Sequence, residues 1–112
     1  MVKISVLKDF SRTPGPRYIS EGKFSGEEFR INILSPKLKD AIKNNEKLLV
    51  DLDGVSGYGT SFLEESFGGL IRIDHLDYEI IRNTLDIKSD EDDIYKSEIW
   101  SYIEEANKSL SE

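Results

Sequence analysis

Apolar and polar positions alternate at the start of the chain. Val2, Ile4 and Val6 are interleaved with Lys3 and Ser5, a period of two that predicts a strand from Val2 to Leu7. Two prolines and a glycine in Ser11-Arg-Thr-Pro-Gly-Pro-Arg17 impose a turn and exclude a helix there. Tyr18 and Ile19 predict the start of a short second strand ending near Gly22. Ser25 and Glu28 have capping-box spacing, each able to satisfy an orphan backbone N–H, and Phe29 and Ile33 then share a helix face. Ser35-Pro36 predicts a fresh start, a cap followed by a proline at the first helical position. Leu38 and Ile42 extend the stripe, and Asn44-Asn45 marks its stop. Lys47 to Leu52 predicts a strand in which Leu48, Leu49, Val50 and Leu52 are apolar, as in a strand buried on both faces.

A glycine-rich loop, Asp53 to Gly59, comes next. Thr60 or Ser61 is expected to cap the following helix, with Glu64 completing a box for Ser61. Phe62, Leu63, Phe67, Leu70 and Ile71 recur at helical spacing. Leu76 to Arg82 reads as a helix, although Tyr78, Ile80 and Ile81 also suit a strand, and Thr84 to Lys88 reads as the last strand. The acids of Ser89-Asp-Glu-Asp-Asp93 suit a helix start. Tyr95, Ile99, Tyr102, Ile103 and Ala106 form the stripe of a C-terminal helix with Trp100 beside it, its last residues expected to fray. The sum is one α/β domain over residues 1–112, a mixed or parallel sheet of about four strands with helices packed against it. Sites in such sheets form where loops leave the carboxyl ends of strands, so the 53–61 loop is the first place to look.

Composition narrows the chemistry. The 112 residues include no cysteine and one histidine, which excludes disulfides, thiolate metal sites and a cysteine nucleophile. No apolar run approaches the roughly 20 residues of a membrane span, and the N-terminus lacks the pattern of a signal peptide. A cytoplasmic protein is expected. The net charge is −7 and the basic residues are scattered, which argues against nucleic acid, although folding could gather Lys3, Lys8, Arg12, Arg17 and Lys23 on one side.

Val50 to Ser61 is the sharpest segment. Glycines, hydroxyls and a helix start together favour an anion, but neither the Walker nor the dinucleotide-binding spacing is present. The plainer reading is a tight turn with capping hydroxyls. Asp51 and Asp53 share a strand face and could hold Mg²⁺, yet no third ligand accompanies them and surface charge is the simpler account. Arg17, on a stiff turn, suits a carboxylate or phosphate; a salt bridge to one of the many acids is the plainer reading. His75 has nothing to orient it, and Thr60 and Ser61 have no base in sequence to activate them.

Three segments carry a family likeness: Pro14-Gly-Pro-Arg-Tyr18, Ser25-Gly-Glu-Glu-Phe-Arg30, and Val50-Asp-Leu-Asp-Gly54 continuing into Gly57-Tyr-Gly-Thr-Ser-Phe-Leu-Glu-Glu-Ser-Phe-Gly-Gly-Leu-Ile-Arg72. They resemble the bacterial STAS-like domain family of uncharacterised function, itself similar to the anti-sigma factor antagonists. The likeness implies a small STAS-like fold and places Thr60 at the position of the antagonists' phosphorylated serine, with Ser61 next to it. Gly59 stands where those proteins have an aspartate, and Phe62 where they have a glycine. The implied partner is a histidine-kinase-like, ATP-binding protein.

Two functions follow as expectations. One is a non-enzymatic, partner-switching interaction module that uses Arg17, Asp53, Ser56, Gly57, Tyr58, Gly59, Thr60, Ser61 and Glu64, without a cofactor or metal. The alternative is a small-molecule or nucleotide sensor with phosphate at the Thr60 helix start and Arg17 nearby. An enzyme built on Asp51, Asp53 and a metal is the weakest reading.

Overall fold

The computed structural model describes residues 1–110. Three strands, β1 (Val2–Ser5), β2 (Leu48–Asp51) and β3 (Leu85–Lys88), form one sheet in the order β1-β2-β3. Both pairings are parallel, with Val2 opposite Leu48 and Leu48 opposite Leu85. Helix α1 (Val6–Asp9), a loop, and α2 (residues 26–43) connect β1 to β2. Helix α3 (residues 60–72) and α4 (Tyr78–Thr84) connect β2 to β3, and α5 (Ile94–Leu110) closes the described chain. The fraying expected at the C-terminus falls on residues 111 and 112, outside the described residues.

One face of the sheet carries the core. Ile4, Leu48, Val50, Leu85 and Ile87 are buried together with Phe29, Leu38, Phe62, Phe67 and Ile103 from the helices. The other face carries Lys3, Ser5, Leu49, Asp51, Asp86 and Lys88, half-buried or exposed. The expectation that β2 is buried on both faces is therefore corrected: Leu49 and Asp51 point to the polar side, where Lys3 and Lys88 reach Asp51, each at 3.8 Å. No fourth strand is present among the described residues. Residues 18–22 form a 3₁₀ turn, Ile19–Glu21, because Glu21 bends back to accept the Tyr18 amide at 2.9 Å and Gly22 takes φ +155°. Among the described residues no helix is long and apolar enough to cross a membrane.

Helix α2 does not restart at Ser35-Pro36. It runs through a π turn, Arg30–Leu34. Pro36 offers no N–H, and its ring crowds the carbonyl four residues earlier. Widening the preceding turn relieves both, and the Ser35 amide reaches back to the Arg30 carbonyl. Helix α3 contains a second π turn, Glu64–Gly68. The helices meet closely here: a Cβ on Gly26 would stand 2.5 Å from the Phe62 carbonyl oxygen, and one on Gly69 2.5 Å from Arg30 Nε.

Candidate functional site

The loop after β2 is fastened at several points. The Leu52 amide continues the ladder to the Lys88 carbonyl, and the Ser56 amide donates to the Arg12 carbonyl at 3.0 Å. The Asp53 amide turns back onto Asp51 Oδ1. Gly54 has φ +92°, a conformation that calls for glycine, and a Cβ there would also press on the end of the Leu7 side chain at 2.7 Å. The Tyr58 hydroxyl donates to the Leu52 carbonyl at 2.8 Å, folding the loop over the strand end.

Asp53 ties this loop to the one after β3. Its carboxylate pairs with Lys88 at 2.7 Å and accepts the amides of Asp90 and Glu91 at 3.2 and 3.0 Å. Burial pushes its pKa up, but the ammonium and the two amides outweigh burial and hold it below its ordinary value. Lys88 is raised in return, chiefly through its hydrogen bond to Asp53. Lys88 lies within 4 Å of both Asp51 and Asp53, occupying the place a metal was considered for. Glu91 accepts the Gly54 amide.

Between the two loops lies a cavity of about 190 Å³, lined by Leu52, Asp53, Val55, Ser56, Gly57 and Tyr58 on one side and Ser89, Glu91, Asp92 and Tyr95 on the other. The Tyr58 and Tyr95 rings meet edge to face at 5.2 Å. The Tyr58 phenol is pushed well up, first by burial and then by the charges of Asp51 and Asp53.

Past the cavity, Gly59 is the N-cap of α3 and no side chain caps the helix. Thr60 and Ser61, expected as caps, are instead its first residues, exposed, with no hydroxyl hydrogen bond among the described residues. Glu64 does not close a capping box. It is drawn away by Arg17, which bonds its Oε1, and by Arg72 at 2.6 and 3.1 Å. These arginines outweigh the upward push of burial and keep the Glu64 pKa low.

The sequence-chosen residues therefore separate into three neighbouring groups. Asp53, Ser56, Gly57 and Tyr58 line the cavity. Gly59, Thr60 and Ser61 form the exposed tip. Arg17 and Glu64 belong to an ion cluster one turn further along α3, where Arg17 plays its plainer role as a salt-bridge partner. That cluster holds residues missed from sequence: Arg30, fully buried, donates to Glu65 Oε2 at 3.1 Å, the Glu65 carbonyl at 3.3 Å and Asp74 Oδ1 at 2.9 Å. Tyr95, Glu91 and Asp92 were missed as cavity residues. The only available signal was that loops after adjacent parallel strands share one end of the sheet. His75, with nothing in sequence to orient it, is exposed at the end of α3 with φ +57°.

Residues 25–95 match the family described as a STAS-like domain of unknown function (DUF4325). The chain belongs to this family. The match covers α2, β2, α3, α4 and β3 of the STAS-like domain, and with them the cavity, the tip and the ion cluster apart from Arg17. No curated protein and no solved structure matches the chain.

Proposed function

We propose that this STAS-like domain is a regulatory protein-interaction module of the partner-switching type, which docks a protein partner on the turn from Ser56 to Ser61 and the tip of α3. The carrying observation is the pair of exposed hydroxyls, Thr60 and Ser61, on the first turn of a helix whose other side is fixed in the core. A partner, or a kinase acting on Thr60, reaches them without unfolding anything. Phosphate on Thr60 adds about −1.5 to −2 charges where the helix dipole tolerates them. Those hydroxyls hold no internal bond, so modification alters the docking face and leaves the fold nearly unchanged. A histidine-kinase-like ATPase is the partner that the sequence resemblance implies for this role. The nucleotide-sensor reading is weaker, because Asp53, Glu91 and Asp92 and no basic residue line the cavity beside the tip, which disfavours phosphate there.

Affinity capture from a lysate of the source organism tests the proposal, with wild type, Thr60→Glu and Tyr58→Ala as baits. A partner retained by wild type is expected to be lost from both variants, and ATP is expected to yield a phosphopeptide containing Thr60. The same captured proteins with all three baits, at equal yield, overturns it.

A further inference from the structure

We infer that the cavity between the β2–α3 and β3–α5 loops receives a cation, the guanidinium or ammonium end of a basic side chain on the docked partner. The source of the cation rests on the proposed function; the chemistry of the cavity does not. Tyr58 and Tyr95, their rings at 77° to one another, are among its lining residues, and aromatic faces attract cations. Asp53, Glu91 and Asp92 supply carboxylates, and none of the residues lining the cavity is basic.

The nearest cation, Lys88, is engaged by Asp51, Asp53 and Asp90. Glu91 accepts only the Gly54 amide and Asp92 Oδ1 only the Ile94 amide, so among the described residues neither of these charges has a cationic partner. Carboxylates and no cations line the cavity; burial is the main reason the Tyr58 phenol is raised, and the charges of Asp51, Asp53 and, more weakly, Glu91 add to it. An anion is repelled there. A neutral group gains little from the carboxylates. A flat guanidinium can stack on a tyrosine ring while its N–H groups face Glu91 and Asp92.

The test is an amide-shift titration of the ¹⁵N-labelled full chain with n-propylguanidinium chloride, the end of an arginine side chain, against n-propylurea, its uncharged counterpart, at constant ionic strength. Saturable shifts confined to Gly57, Tyr58, Asp92 and Tyr95 are expected with the cation only. The double variant Glu91→Gln with Asp92→Asn keeps both amide acceptors and should bind about tenfold more weakly, since two charges a few ångströms away are gone. Equal shifts from both compounds, or unchanged affinity in the variant, overturn the cavity assignment whatever the capture experiment gives. If a partner is captured, the same variant separates the two claims: reduced capture supports a basic side chain in the cavity, whereas undiminished capture overturns that source and leaves the docking proposal standing.

Discussion

Replacing Arg30 by methionine tests the innermost electrostatics of the fold. Arg30 is 2% exposed and its partner Glu65 1%, so each charge depends on the other for what water would otherwise supply. Removing one partner of such a pair costs about 3–5 kcal/mol. The lower end applies here, because Arg72 at 3.5 Å and Arg17 at 3.7 Å continue to face Glu65 and because Asp74, 16% exposed, can turn to solvent. Methionine fills most of the arginine's volume, which keeps the packing loss small. About 3 kcal/mol in a domain of this size lowers the melting temperature by roughly 10–20 °C. Urea unfolding, followed by far-ultraviolet circular dichroism and Trp100 fluorescence, measures it. The double variant Arg30→Met with Glu65→Leu removes the stranded charge and should recover part of the loss. Arg30→Met within about 1 kcal/mol of wild type would refute the reasoning, since a buried carboxylate would then need no buried cation.

Three further outcomes follow from the geometry. Gly26→Ala places a Cβ 2.5 Å from the Phe62 carbonyl and 3.1 Å from Ser66 Oγ, and should cost about 1–3 kcal/mol; an unmoved urea midpoint would show that α2 and α3 separate freely. Tyr58→Phe deletes the bond to the Leu52 carbonyl and should cost about 1 kcal/mol, with faster amide exchange confined to the 53–59 loop as the check. Acid should weaken the protein through Asp53 and Glu64, both held below their ordinary values of 3.8 and 4.5. A depressed carboxylate binds fewer protons folded than unfolded, so its contribution is complete above the ordinary value and drains as pH falls through the folded one. The decline should begin below about pH 4.5 and be shallower in Asp53→Asn and Glu64→Gln, read from urea midpoints at a series of pH values.

The three strands were legible because β-branched and apolar residues bounded by turns announce them, although β1 stops at Ser5, which caps α1, so that Val6 and Leu7 are helical rather than strand; α5 was legible because Ile99, Ile103 and Ala106 keep their period into the buried face. The covered side of the sheet was less legible. Leu48-Leu-Val50 reads as buried throughout, and only the polar neighbours Lys3 and Asp86 opposite Leu49 show that one face is solvated. The caps misled for a different reason. Ser61 and Glu64 have the right spacing, but the helix starts earlier, with Gly59 as its N-cap and Ser61 already inside it, and Glu64 is taken up by two arginines from residues 17 and 72; local spacing carries no information about either. The π turns escaped notice similarly: one depends on relief before Pro36, the other lies where Gly69 admits the Arg30 side chain.

These long-range pairings also explain why the site faces outward. Asp53 is held by Lys88, Glu64 by Arg17 and Arg72, and Glu65 by Arg30, so the charged groups nearest the sheet end neutralise one another within the fold. Among the described residues, two hydroxyls on the first turn of α3 have no hydrogen bond, and the carboxylates of Glu91 and Asp92 at the cavity accept only backbone amides. Both sets lie on the loops that leave β2 and β3, which adjacent parallel strands bring to one end of the molecule. Under the proposed function, a face that combines these hydroxyls, two tyrosines and the Glu91 and Asp92 charges would change its affinity for a partner when its charge changes, without changing its shape. That separation between a fixed frame and an adjustable face is what a phosphorylation-controlled docking module requires, and the ion cluster around Arg30 is what keeps the frame fixed.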